Sequence, residues 1–194
     1  ALVASCRSAE ELGVDQVWLP EDYLERGVFT LASAVAAVTE RIEIGIGVVN
    51  PWTRHPAMVA MEFAALDELS GGRALLGLGA SNRHWMSDQL GLPFRAPLSG
   101  LKEAVTVIRG LLSGEQVEYR GERFQVSARL GFEPFRPAPP VVLGVKGPQA
   151  LRYAGEASDG VLLPVLSSPA YVRWARDLLG SRGPLVAGYV TFGC

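Results

Sequence analysis

The chain has 194 residues, 48% of them apolar and 20% charged, with a formal net charge of −2. That composition suits a globular chain with room for one substantial core, and it offers no basic stripe of the kind a nucleic-acid partner needs. No run approaches the ~18 apolar residues of a membrane span, and the opening ALVASCRSAEELG carries charges where a secretory leader has its apolar core, so the setting expected is cytoplasmic, with neither membrane nor nucleic acid as partner.

In chain order, residues 1–12 read as an amphipathic helix closed by Gly13, followed by a short strand at 16–20. A helix over 30–39, a strand over 42–49, a helix over 56–69 stopped by Ser70-Gly71-Gly72, and a strand over 73–79 come next. After a helix at 101–112 the pattern resumes with strands at 141–146 and 160–165, helices at 148–157 and 169–179, and a last strand at 184–192. Two stretches break this rhythm. Residues 80–100 form a long connection, and residues 113–140 hold a hairpin-like excursion with a proline-rich return, FEPFRPAPP.

Strands that are apolar throughout are buried on both faces, and their alternation with helices predicts a parallel sheet. A doubly wound sheet and a (β/α)8 barrel both meet that description. The chain counts six such strands, opens in a helix and closes on a strand, whereas a complete barrel takes ~250 residues. The expectation is a single α/β domain over 1–194 of the TIM-barrel type, incomplete by its first strand and its last unit or units, with an insertion at about 113–140.

Ligands of parallel α/β folds sit at the carboxyl ends of the strands. That rim receives Glu21, Asp22 and Tyr23, then Gly47 to Trp52, then Gly79 to Trp85, then Lys146 to Gln149. The opposite rim has LSGGR, TERIE and ASDG, which read as structural turns. Glu21 and Asp22 have a plain reading, as caps of the next helix or partners of Arg26, that weighs evenly against a functional one, and His55 and His84 have plain loop readings. GLGASN at 77–82 lacks the third glycine of a dinucleotide fingerprint and the later acidic residue. Lys146-Gly147-Pro148 is more informative, because a lysine beside a proline-started helix suits a phosphate. Cys6 and Cys194 lie near opposite ends of the chain, and with two histidines no metal-ligand spacing arises, so no metal is expected. A rim of glycines, small residues, amides and aromatics, without a nucleophile elbow or triad, suits a large planar cofactor that carries its own reactivity.

Five stretches carry a resemblance: PEDYLERGVFT (20–30), TERIEIGIGVVNPWTRHPA (39–57), LDELSGGRALLGLGAS (66–81), LKEAVTVIRGLLSGE (101–115) and VVLGVKGPQALRYAGEASDGVLLP (141–164). In these the chain resembles the bacterial luciferase-like superfamily of flavin- and deazaflavin-dependent oxidoreductases, in particular the branch similar to methylenetetrahydromethanopterin reductase. The resemblance implies a cofactor, coenzyme F420 or FMN, lying across the rim. It places a non-prolyl cis peptide at Gly47-Val48 behind the middle ring, with Asn50 bonding the ring's polar edge. It puts Gly79, Ala80, Ser81 and Asn82 on the loop lining the ring, and Lys146, Gly147, Gln149 and Ala150 on the phosphate turn. Glu21 and Asp22 fall where relatives carry an acidic residue followed by histidine, so here a carboxylate, Asp22, stands at the histidine position. Arg54 and His55 are expected to set the next helix. The implied activity is hydride transfer between F420 and a small organic molecule, with an FMN monooxygenase or a non-catalytic flavin-binding protein as alternatives, and the implied assembly is a homodimer.

Overall fold

The computed structural model of the chain describes residues 1–180 and 185–188. The chain runs α1 (Leu2–Glu11), β1 (Gln16–Leu19), α2 (Val28–Ala36), β2 (Glu43–Val49), α3 (Pro56–Leu69), β3 (Ala74–Gly79), a π-helical turn (His84–Gln89), α4 (Pro97–Leu112), β4 (Val117–Arg120), β5 (Gln125–Ala128), β6 (Val141–Gly144), α5 (Pro148–Ala157), β7 (Gly160–Leu163), α6 (Pro169–Leu179) and β8 (Leu185–Gly188). Six strands pair in parallel in the order β1-β2-β3-β6-β7-β8, and β4 and β5 make a separate antiparallel hairpin. This curled sheet is the expected part of a barrel. The expected last strand over 184–192 is described only at Leu185–Gly188, and its remaining residues and Cys194 lie outside the described residues.

A strand points alternate side chains to opposite faces. On one face Ile44, Ile46, Ala74, Leu76, Leu78, Val141, Leu143, Val161 and Leu163 join Phe63, Leu66, Val107, Ile108, Leu111 and Leu151 from the helices in one apolar core. The other face takes Gly45, Gly77, Gly79 and Gly144 besides Leu75, Val142 and Leu162. This face is hollow because glycines have been placed where side chains would otherwise fill it.

The strand-start rim is a set of clamps, as LSGGR and TERIE led one to expect. Arg73 donates through Nε to the Ser70 carbonyl, through Nη1 to Thr39 Oγ1 and the Ile42 carbonyl, and through Nη2 to the Ala36 and Thr39 carbonyls. It thereby satisfies carbonyls that the end of α2 leaves unpaired. Glu10 of α1 takes the backbone N–H groups of Glu40, Arg41 and Ile42 from the same loop. Asp159 accepts from Val141 N and Arg109 Nη2 at 2.8 and 2.7 Å.

Strands β6 and β7 each end two residues short of expectation, at Gly144 and Leu163, and the larger departures are in the helices and the long connection. Helix α2 starts two residues early and ends at Ala36 because Thr39 and the residues after it are held by Arg73 and Glu10. Helix α4 starts at Pro97 rather than 101, the proline occupying the first helical position where its missing N–H costs nothing. The connection 80–100 contains the π-helical turn, pinned by the fully buried Met86.

Candidate functional site

Strand β2 carries the irregularity that shapes the site. Ile44, Ile46 and Val49 all reach the helix-side core, a spacing of two and then three that requires one extra residue. The pairing of β2 with β3 shifts register between Ile46 and Val49, and the Gly47-Val48 peptide bond is cis. The side chain of Val48 is turned onto the hollow face. A Cβ at Gly79 would lie 2.6 Å from Val48 Cγ2, one at Gly144 would lie 2.8 Å from Val48 Cγ1, and one at Gly77 would lie 2.0 Å from the Ile46 carbonyl. The glycines on β3 and β6 are the room into which Val48 folds.

Above this bulge lies a cavity of about 430 Å³. Gly47, Val48 and Gly144 form its floor; Ala80 and Ser81 follow from β3; Phe94, Leu98 and Leu101 close one side, and Lys146, Gly147 and Ala150 another. It is apolar apart from Ser81 and Lys146, the composition of a site for a flat, largely apolar group with a few fixed polar ends. Ser81 adopts a positive φ of 60°, and its Oγ is buried without a hydrogen bond of ordinary geometry. Beside the cavity, with the Tyr23 phenol as its near neighbour, this hydroxyl is a polar group that an entering ligand can meet.

The Asn50-Pro51-Trp52-Thr53 turn is built around Asn50, which is 1% exposed. Its Oδ1 accepts from the N–H groups of Trp52 and Thr53, and its Nδ2 donates to Tyr23 Oη at 2.7 Å and Thr53 Oγ1 at 3.0 Å. Both donors and both acceptors of the amide are thus occupied within the protein. Asn50 thereby closes an Asx turn that ends the strand. Tyr23 is the residue that sequence reasoning left without a role. Its phenol meets Asn50, lies close to Ser81, and packs on Trp85 with ring centroids 5.2 Å apart. Burial pushes its pKa above the ordinary value of 10.0, partly offset by Ser81 and Asn50. Its position directly after Glu21-Asp22 was the available signal.

Glu21 and Asp22 part company. The side chain of Glu21 is 7% exposed and pairs with Arg54, which also pairs with Glu62 at 3.3 Å. The second oxygen of Glu21 is buried without a partner. Asp22 is exposed, and neither carboxylate lines the 430 Å³ cavity. Arg54 and His55 set the next helix as the sequence suggested: Arg54 reaches Glu62 of α3, and His55 Nδ1 accepts from Ala57 N at the start of α3.

Lys146 sits at the mouth of the cavity, and among the described residues no carboxylate pairs with it. Gly147 caps α5 and Pro148 begins it, so the N–H groups of Gln149 and Ala150 belong to the unpaired first turn. Ala150 lines the cavity, whereas the side chain of Gln149 is exposed. Asn82 faces away, its Oδ1 accepting from Trp85 N at 3.0 Å, and Gly79 contributes by making room for Val48. Among the described residues no group of three acidic, histidine or cysteine side chains could hold a metal, and no helix is long and apolar enough to cross a membrane.

A parallel β/α sheet, a bulged strand end and a rim cavity bordered by a helix N-terminus together define a barrel-type α/β chain with its cavity on the carboxyl rim. The model of the family described as luciferase-like monooxygenase matches residues 1–183, and the chain belongs to that family. It is 39% identical over 156 residues to a 5,10-methylenetetrahydromethanopterin reductase of Methanolobus tindarius, across 80% of this chain and 47% of that protein. It is 34% identical over 174 residues to an F420-dependent glucose-6-phosphate dehydrogenase of Amycolatopsis mediterranei, across 83% and 52%. Of solved structures, the coenzyme F420 dependent tetrahydromethanopterin reductase of Methanopyrus kandleri matches with a TM-score of 0.84 at 30% identity, over 92% of this chain and 55% of that one. A type II Baeyer-Villiger monooxygenase of Pseudomonas putida in complex with FMN shares the fold alone, with a TM-score of 0.79 at 18% identity over 92% of this chain and 55% of that one. The chain spans about half the length of the curated relatives it matches.

Proposed function

We propose that the chain is part of an oxidoreductase that transfers a hydride between coenzyme F420 and a small organic substrate. The observation that carries this is the cavity built against the Gly47-Val48 bulge and bordered by the first turn of α5. The residues present fit such a cofactor: an apolar slot for a ring, a hydroxyl on Ser81 at its edge, and Lys146 beside free helix N–H groups for a phosphate. When bound, the cofactor supplies the ring atom that gives or takes the hydride. Gly47 and Val48 would back the ring, Ser81 and Ala80 would flank it, and the apolar wall would keep water out. Glu21 and Asp22 are the proton-handling candidates, and Glu21 has the stronger claim because one buried oxygen is free to accept.

A second reading, an FMN-dependent monooxygenase, is favoured by the family's description and by a likeness to monooxygenase RslO1 of Streptomyces bottropensis, with a TM-score of 0.83 at 26% identity over 92% of this chain and 57% of that one. Binding without turnover would mark the third, a non-catalytic flavin-binding protein. A cytoplasmic homodimer completes the proposal. Its support is an exposed stripe on α3 formed by Met58, Met61, Ala65 and Leu69, which recur at helical spacing on one face.

Fluorescence titration with oxidised F420 and then FMN tests the reading. F420 is expected to bind more tightly, and Lys146→Ala to weaken it about tenfold, the equivalent of ~1.4 kcal/mol. A preference for FMN moves the assignment to monooxygenase chemistry. Failure of the full-length protein to bind either cofactor overturns the oxidoreductase reading.

A further inference from the structure

The β4–β5 hairpin is far from the cavity in sequence yet connected to it by a continuous set of contacts. Glu103 of α4 is buried, and its carboxylate accepts from the N–H groups of Glu122, Arg123 and Phe124, which make up the hairpin's tip. A Cβ at Gly121 would stand 2.2 Å from Glu103 Oε2, so the turn closes on the carboxylate only with glycine there. Held in this way, the Arg123 guanidinium lies over the ring of Trp52, 5.2 Å from its centroid, and donates through Nη2 to the Arg95 carbonyl at 3.0 Å. Trp52 in turn packs on Phe94 with ring centroids 5.3 Å apart. Phe94 lines the cavity. The stack passes α4 at Gly100, where a Cβ would come within 3.0 Å of Arg123 and 3.1 Å of Trp52.

From these contacts we infer that the hairpin is a working part of the site: Arg123 and Trp52 are positioning residues that hold Phe94 as the aromatic wall against which the flat ligand lies. Phe94 sits in the connection 90–96, between the π-helical turn and α4, where no strand or helix fixes it. Up to Leu92 the connection is tied to the π-helical turn, through Leu92 N on the Met86 carbonyl and Ser87 Oγ on the Leu92 carbonyl; beyond it, Phe94 is anchored by the Trp52 ring and by the neighbouring Arg95 carbonyl bonded to Arg123. Removal of either anchor frees the wall while leaving the Gly47-Val48 floor and the α5 turn in place. The inference rests on the proposed cofactor reading only for the identity of the ligand.

Two measurements on the full-length protein test it. Dissociation constants for F420 and FMN are measured for the wild type, Arg123→Gln, Phe94→Ala and the double variant. Arg123→Gln is expected to weaken whichever cofactor binds by about fivefold, and by less than about twofold when Phe94 is already alanine, because residues that act through one another are not additive. Equal losses in both backgrounds overturn the inference. Hydrogen exchange without any ligand is the second measurement. Arg123→Gln and Trp52→Leu are expected to speed exchange over residues 90–96 while leaving α5 unchanged, and unchanged exchange over 90–96 overturns the inference. If the wild type binds neither cofactor, the cofactor reading fails, and the exchange result still decides whether the hairpin holds the wall. Arg123→Lys, which keeps the cation but loses the planar stack, guards against reading a folding defect as a loss of positioning.

Discussion

The site begins with the question of where a single valine can go. A β strand with an extra residue must place one side chain against the alternation, and in β2 that side chain is Val48. It fits because β3 and β6 present Gly79 and Gly144 directly beneath it. Gly79→Ala puts a methyl 2.6 Å from Val48 Cγ2 and 3.2 Å from the Gly144 carbonyl. That overpacking is expected to cost about 1–3 kcal/mol in urea unfolding and to weaken cofactor binding at least roughly tenfold, since Val48 is the floor of the cavity. Adding Val48→Ala to Gly79→Ala removes the colliding methyls and is expected to restore most of the lost stability. Were the double variant as unstable as the single one, the packing account of these glycines would be wrong. GLGAS and the resemblance made the bulge and the Ser81 position legible in the sequence. The fate of Asn50 was not legible. Its saturation by Tyr23, Trp52 and Thr53 depends on the turn closing back on a residue 27 positions earlier. The same distance problem hid the Glu21–Arg54 pair, which lie 33 residues apart.

Among the elements, the recurring device is a carboxylate on a helix that grips the backbone of a loop. Glu103 does this for the hairpin and Glu10 for the loop between α2 and β2. Accepting three N–H groups favours the charged form, and the Ile42 and Arg41 amides hold the pKa of Glu10 down to about 2, against an ordinary value of 4.5. The folded value is the lower one, so this clamp contributes fully above about pH 4.5 and its contribution is lost as pH falls toward 2. Glu10→Gln is expected to melt at a lower temperature than the wild type at pH 6, with the gap narrowing as pH falls to 3. A gap of constant width in thermal melts across that range would show that the charge of Glu10 plays no part. At this scale the sequence was largely legible, since α3, α5 and α6 have their expected bounds. The errors fell where tertiary contacts decide: the early end of α2, fixed by Arg73 and Glu10, and the start of α4, where Pro97, Ser99 and Gly100 look like loop residues until the hairpin packs against them.

For the molecule as a whole, two surfaces compete for explanation, the hollow face of the sheet and the outer face of the helices. Glycines make the first concave and give it the cavity. The second should be polar if it met only water, and most of it is. Helix α3 departs from that rule: Met58, Met61 and Leu69 are 46%, 41% and 54% exposed and, with Ala65, form one line down its length. Helix α2 packs beside α3 and carries the exposed Ala34, with Val38 (41% exposed) in the turn that follows it. Scattered exposed apolar residues need no explanation, but an apolar line along one helix face does. A second copy of the chain related by a two-fold axis is the simplest cover, because such an interface is self-complementary and needs only one patch. Met61 lies near the middle of the stripe, so Met61→Glu would set two carboxylates against each other or against apolar surface in such a pair. Sedimentation velocity on the full-length protein is expected to show a dimer for the wild type and a monomer for Met61→Glu, with cofactor affinity within about twofold because the stripe and the cavity share no residue. A wild type that sediments as a monomer would remove the dimer from the proposal. A Met61→Glu variant that remains dimeric would move the interface off α3, and in either case the cavity would keep its own tests.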